Sequence, residues 1–190
     1  MVMEVLEGET CPFSNANTLA LTEDDVDVPF FGRCYVFSMT CTTCKYRKAD
    51  IESEEAREPS KHELTVSGDE DLKIRVIRSS EGMIKIGTFG SIEPGENAEG
   101  FISNVEGVLE RFKKVVEGTK LKPEEMDDAS EEDLANHERS REVIKKLNRI
   151  LMGSDKFTLT IEDPTGNSAI ISEKTKITPL KPAAKGKGKK

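Results

Sequence analysis

Two short turns constrain this chain more than any other feature: CPFS at residues 11–14 and CTTC at residues 41–44, with a β-prone run between them. Paired C-x-x-C knuckles bind zinc because each tight turn aims two sulfurs at one point, with Zn–S near 2.3 Å. Cys11, Cys41 and Cys44 would fill three tetrahedral corners, and Ser14 stands where the second thiolate of the first knuckle is expected. A serine hydroxyl stays protonated at neutral pH and binds zinc far more weakly than a thiolate. The fourth corner is then open to water, to a distant side chain, or to nothing. A hairpin brings the turns together, with NTLAL leading away from the first knuckle and RCYVFSMT leading back to the second. EDDVDVPFFG between them reads as a turn-rich acidic interruption.

Other donors are poorly placed. Cys34 stands seven residues before Cys41 in what reads as one strand. Such a strand spans roughly 23 Å and puts the two side chains on opposite faces, so Cys34 reads as a buried apolar cysteine. His62 opens an expected strand and His137 lies on the polar side of an expected helix, so both read as ordinary histidines. An open zinc corner supports catalysis only beside a general base, and Ser14, Asn15 and Asn17 offer none. A redox role for CTTC needs a βαβ context that the flanking residues lack. The chain carries no P-loop, no GxGxxG and no persuasive Ser/His/Asp set, so it is not expected to be an enzyme.

There is no tryptophan, and aromatic residues make up 5% of the chain, so aliphatic side chains must build the core and a metal staple is a reasonable supplement. No run approaches the roughly 18 apolar residues of a membrane span. The acidic opening MVMEVLEGET does not resemble a secretory leader, so a cytoplasmic location is expected, where thiols favour metals over disulfides. The net charge of -8 conceals a basic end, KPAAKGKGKK, whose five lysines leave the remainder more acidic still. An acidic body argues against phosphate-backbone binding by the folded part.

The organisation expected is a zinc-finger hairpin at residues 1–50, a charged linker at 51–60, a β-rich domain at 61–178, and a disordered basic tail at 179–190. HELTV, LKIRVIRSS and MIKIG read as strands separated by turn residues, as do the two arms of FTLTIEDPTGNSAIIS around DPTGN. There Asp163 and Pro164 shape the turn, and Gly166 and Asn167 tolerate positive φ. A helical hairpin, about residues 103–153, interrupts the β-rich domain. Ser103 and Glu106 form an S-x-x-E capping box ahead of Val105, Val108, Leu109, Phe112, Val115 and Val116, and Gly118 ends that helix. A second helix starts near Ser130 and stops at Gly153, with Leu134, Ile144, Leu147 and Leu151 at helical spacing. Gly82, Gly87 and Gly90 read as turn residues, and Arg78, Ser79 and Ser80 as a polar turn rather than an anion site. The fold class is α+β: a small zinc-ribbon-like β-hairpin finger, then a β-sandwich-like domain with an inserted helical hairpin.

Several stretches together resemble one family. CPFS, VPFFGRCYVFSMTCTTCKYRKADI, RVIRSSEGMIKIGTFGSIEPGENAEGFISNVEGVLERF and FTLTIEDPTGNSAII are similar to the ZPR zinc-finger family in a short, single-module archaeal form, across roughly residues 9–172. The resemblance implies a four-cysteine finger followed by a β-sandwich-like domain with a helical hairpin. It carries the metal ligands to Cys11, Cys41 and Cys44, with Ser14 departing from the family's second cysteine. It also implies a protein partner, because eukaryotic members bind translation elongation factor 1A and assist its folding.

The leading functional expectation is therefore a zinc-binding protein-interaction module, a partner or folding helper of the archaeal elongation factor 1A. Phe30 and Phe31 are either docking residues or part of the hairpin base, and Glu106 and Arg111 near the capped helix are candidate partner contacts. The alternative is a nucleic-acid-binding finger that uses KYRK (Lys45–Lys48) and the lysine tail.

Overall fold

The computed structural model describes residues 4–95, 98–122, 126 and 129–180. The expected basic tail lies outside the described residues from residue 181 onward.

Strands β1 (Glu4–Glu9), β2 (Leu19–Val28), β3 (Gly32–Cys41) and β4 (Arg47–Ser53) form an antiparallel sheet in that order. β2 and β3 pair without a break from Leu19↔Cys41 to Val28↔Gly32, so Glu23–Asp27 is strand and not an interruption. Strand pairing needs apolar residues on one face only, and Val26 and Val28 supply them between the acids. The turn shrinks to Pro29–Phe31, where the Phe31 N–H donates to the Val28 carbonyl at 3.0 Å. Residues 51–60, expected as a linker, hold the end of β4 and the start of β5. Ile51 is buried opposite Val36, and the Ser53 N–H donates to Asn167 Oδ1 at 3.1 Å.

The remainder forms two further sheets around α1 (Asp69–Leu72), α2 (Val105–Gly118) and α3 (Glu131–Leu151). One sheet contains β5 (Ser60–Val66), β7 (Met83–Ile86), β8 (Gly90–Ile92), β10 (Phe157–Asp163) and β12 (Lys176–Pro179), in the order β12-β5-β10-β7-β8. The other contains β6 (Arg75–Arg78), β9 (Phe101–Asn104) and β11 (Ala169–Ile171), in the order β11-β6-β9. This small sheet is the middle layer. Val76 and Ile170 face the main core with Leu64, Ile84, Leu159 and the helix residues Leu109 and Leu147. Their neighbours Ile77 and Ala169 face a second core with Val28, Phe31, Cys34 and Ile51. A strand buried on both faces reads as an unbroken apolar run, which is why RVIR and AII show no alternation.

Helix α2 buries Val105, Val108, Leu109 and Phe112, while Val115 is 62% exposed and closes no core. Its cap is Asn104 rather than Ser103: Asn104 Oδ1 accepts from the Gly107 N–H at 2.8 Å. Asn104 is itself extended, opposite Arg75 in the last pair of β9, so the helix begins only at Val105 and Ser103 lies one residue too early to cap it. Helix α3 does open with a capping box, formed by Ser130 and Asp133. It buries Leu147 and Ile150 and leaves Leu134 exposed. His137 Nδ1 accepts from the Leu121 N–H at 3.1 Å, tying the connection between the helices to α3.

In the DPTGN turn only Gly166 needs a left-handed backbone, with φ at +76°. A Cβ there would lie 2.7 Å from the Glu58 carbonyl oxygen and 2.8 Å from Arg57 Cβ. Gly166→Ala is therefore expected to destabilise the fold by about 2–4 kcal/mol, read as a lower urea midpoint at unchanged slope.

Candidate metal centre

The β2–β3 register sets Leu19 beside Cys41 and so brings the two knuckles together. In the first, the Asn15 N–H donates to the Cys11 carbonyl at 2.9 Å and the Cys11 N–H to the Ala16 carbonyl at 3.0 Å. In the second, the Lys45 N–H donates to the Cys41 carbonyl at 3.1 Å and the Cys41 N–H to the Tyr46 carbonyl at 2.8 Å. The residue following each fourth position is left-handed, with φ of +54° at Asn15 and +62° at Lys45. The two turns are thus the same turn. Ser14 changes the donor atom and leaves the backbone of a metal knuckle intact.

The sulfurs of Cys11, Cys41 and Cys44 all lie within 4.8 Å of one another, with Cys11 and Cys44 3.6 Å apart. Thiolates at two corners of a zinc tetrahedron stand about 3.8 Å apart, so the set fits the ion. Ser14 Oγ lies 3.6 Å from Cys41 Sγ, on the fourth side of the cluster, and Thr18 Oγ1 lies 3.4 Å from the same sulfur. Cys11 and Cys41 are buried with Leu19, and Leu21 and Tyr46 pack against them, while Cys44 is exposed. Phe13 caps the outside against Tyr46, ring centroids 4.5 Å apart.

The electrostatics favour thiolates at Cys41 and Cys11. The Cys44 N–H, then the Thr18 and Ser14 hydroxyls, bring the Cys41 pKa down to about 5. The Ser14 hydroxyl and N–H lower that of Cys11. At Cys44 the Tyr46 N–H pulls downward, but desolvation and the two neighbouring sulfurs prevail and raise it. Several thiolates at one point repel one another unless a cation joins them, and zinc is the ion whose chemistry suits this donor set. When bound it would pin the two knuckles at the open end of the hairpin.

The other candidates lie elsewhere. Cys34 is fully buried at the far end of β3, against Val28, Phe31 and Ile51, and desolvation raises its pKa. His62 is buried in β5, its ring 3.2 Å from Ser60 Oγ. Arg78 is buried and donates to the carbonyls of Gly82, Glu99 and Glu93, which holds those three residues against the end of β6. In KYRK, Lys45 folds back onto the Thr42 carbonyl and Arg47 pairs with Glu99 at 3.6 Å. The two phenylalanines divide: Phe31 is buried under the Arg57 guanidinium, whereas Phe30 is fully exposed, with φ at +66°, beside a groove of about 890 Å³. The sequence does not single out the buried network of Asp163, Ser79 and Ser168, because each residue alone reads as a turn. No helix among the described residues is long and apolar enough to cross a membrane.

Comparison with known proteins agrees with this architecture. The family model of the ZPR1 jelly-roll domain matches residues 70–181. A ZPR1-like protein of Methanocaldococcus jannaschii is 39% identical over 173 residues, which cover 90% of this chain and 83% of that protein. A ZPR1-like protein of Pyrococcus horikoshii is 38% identical over 188 residues, 94% of this chain and 78% of the relative. The zinc finger chaperone zpr1 of Schizosaccharomyces pombe is 28% identical over 152 residues, 75% of this chain but only 30% of its own length. With a β-sandwich matching the jelly-roll model, a thiol cluster on its amino-terminal hairpin, and likeness to the two archaeal proteins over more than three quarters of their length, the chain belongs to the ZPR1 family.

Proposed function

We propose that this protein is a zinc-stapled protein-interaction module in which Cys11, Cys41 and Cys44 hold the ion, and that it binds translation elongation factor 1A and assists its folding. The observation that carries the reading is the convergence of three sulfurs within 4.8 Å on two knuckles of the same backbone geometry. The name of the fission-yeast relative, a zinc finger chaperone, supports a protein as the partner. The elongation factor itself comes from the resemblance to the eukaryotic members. The role needs no catalysis and suits the cytoplasm, where the factor works. Zinc here acts as a structural staple, since binding the ion and ordering the hairpin end are one equilibrium. The pairing of Arg47 with Glu99 and the net acidity of the chain weigh against the nucleic-acid reading.

Calorimetric titration of the zinc-loaded protein with purified elongation factor 1A tests the proposal. Binding is expected with the native protein, and Cys41→Ser or prior chelation should remove the bound zinc and weaken it by roughly tenfold or more. Absence of binding by the zinc-loaded protein would reject the factor as partner. Unchanged zinc content in Cys41→Ser would reject the ligand assignment.

A further inference from the structure

Directly opposed residues of an antiparallel pair share a face, so the register of the first sheet sorts its side chains into two sets. One set, Val26, Val28, Cys34, Val36 and Ile51, packs on the middle sheet. The other carries Leu6 opposite Leu21, Leu21 opposite Met39, and next to them Phe37 and Tyr35. Leu6 is 61% and Met39 37% exposed. Among the described residues, Leu6, Tyr35, Phe37 and Met39 neither join nor pack against any buried cluster. The face is also continuous with the metal centre: Leu19 and Cys41 lie on it, and Leu21 packs against the thiol cluster.

Its border is acidic. Glu4 and Glu23 face each other beside Leu6 and Phe37, and Asp25 and Glu52 flank Tyr35. Arg33 on this face is already engaged by Asp25 at 3.8 Å and Asp27 at 3.4 Å, and Lys48 sits opposite Met39. Asp50 shares the face, but its carboxylate is taken by the Ser80 N–H and hydroxyl. Leu21, Tyr35 and Phe37 are half-buried and Leu6 and Met39 exposed, so among the described residues the strip is only partly covered; such a strip marks an interaction surface, and an acidic rim selects the charge of what covers it.

We propose that this outer sheet face docks a segment of a partner protein that presents aliphatic side chains among lysines and arginines. The inference rests on the reading of the chain as an interaction module and adds where and by what chemistry the partner is held. Zinc at one end would keep Leu19 and Leu21 in place.

The test uses the full zinc-loaded chain and two probes, a synthetic peptide of alternating leucine and lysine and purified elongation factor 1A. Variants Met39→Glu and Glu23→Lys alter the face, and Glu117→Lys makes the same charge change as Glu23→Lys at an exposed position of α2. Circular dichroism and zinc content verify that each folds. Peptide binding by the native protein should weaken with salt, fall roughly tenfold in each face variant, and change less than about twofold in Glu117→Lys. A native protein that ignores the peptide, or a control that loses as much as the face variants, overturns the inference. So does elongation factor binding that the face variants leave unchanged. If the peptide behaves as expected and the native protein does not bind the factor, the docking face stands and the partner named above falls.

Discussion

Ser14→Cys is expected to tighten zinc binding by about a hundredfold or more and to raise the melting temperature when zinc is present. The backbone is already prepared for it. The first knuckle has the hydrogen bonds and the left-handed fifth residue of the second, and Ser14 Oγ stands 3.6 Å from Cys41 Sγ. The substitution therefore exchanges an oxygen for a sulfur without moving the chain. A fourth thiolate replaces a weak neutral donor, and its added negative charge is offset by direct contact with the ion. Where the free zinc concentration exceeds both dissociation constants, a hundredfold gain in affinity appears as about 2.7 kcal/mol of stability. With zinc chelated, the gain should vanish, because without the ion a fourth sulfur only adds repulsion. Competition against a chelating dye measures the affinity, and calorimetric scans at fixed free zinc measure the stability. No change in either would show that the fourth corner is filled by another group and that Ser14 lies beside the site rather than at it.

The convergence of the three thiols was legible from the chain because a knuckle is a local object: its donor atoms, its turn and its spacing lie within four residues. The exclusion of Cys34 was legible too, since strand geometry alone carries it to the other end of β3. Features that depend on layers were not. Glu23–Asp27 is strand because Val26 and Val28 lie on the second core, a fact of the tertiary structure. Ser103 offers a good capping pattern, yet β9 runs one residue further, through the extended Asn104 opposite Arg75, so the cap falls to Asn104. β1 is exposed along its whole length, so no burial pattern announces it. Adjacent Phe30 and Phe31 part company because a single left-handed residue turns one outward and the other into the core. The buried polar network was hidden for the same reason, as its members come from β10, from the end of β6 and from the turn before β11.

That network carries the second large effect expected. Asp163 is fully buried and accepts from the Ser168 hydroxyl at 2.5 Å, the Ser79 hydroxyl at 2.8 Å, and the Thr165 N–H and hydroxyl at 2.7 Å each. Burial alone would raise its pKa, but these donors prevail and hold it below the ordinary aspartate value. Asp163→Ala strands buried donors and removes a polar tie between the five-stranded sheet and the ends of the middle layer, at an expected cost of about 3 kcal/mol or more. Asp163→Asn keeps the shape but presents an amide donor to other donors, so it should be destabilised as well, though less. The sign with pH follows from the depressed pKa: the carboxylate's contribution is complete above the unfolded value, near 3.9, and is lost as pH falls through the lower folded value. Urea unfolding of the native protein and Asp163→Asn should therefore differ most at neutral pH and converge toward acid. The thiols lie at the other end of the β2–β3 hairpin from the core against which this layer packs. Folded Asp163→Ala should accordingly retain its zinc, and loss of the metal in the folded variant would mean that the finger depends on the layered body for its shape.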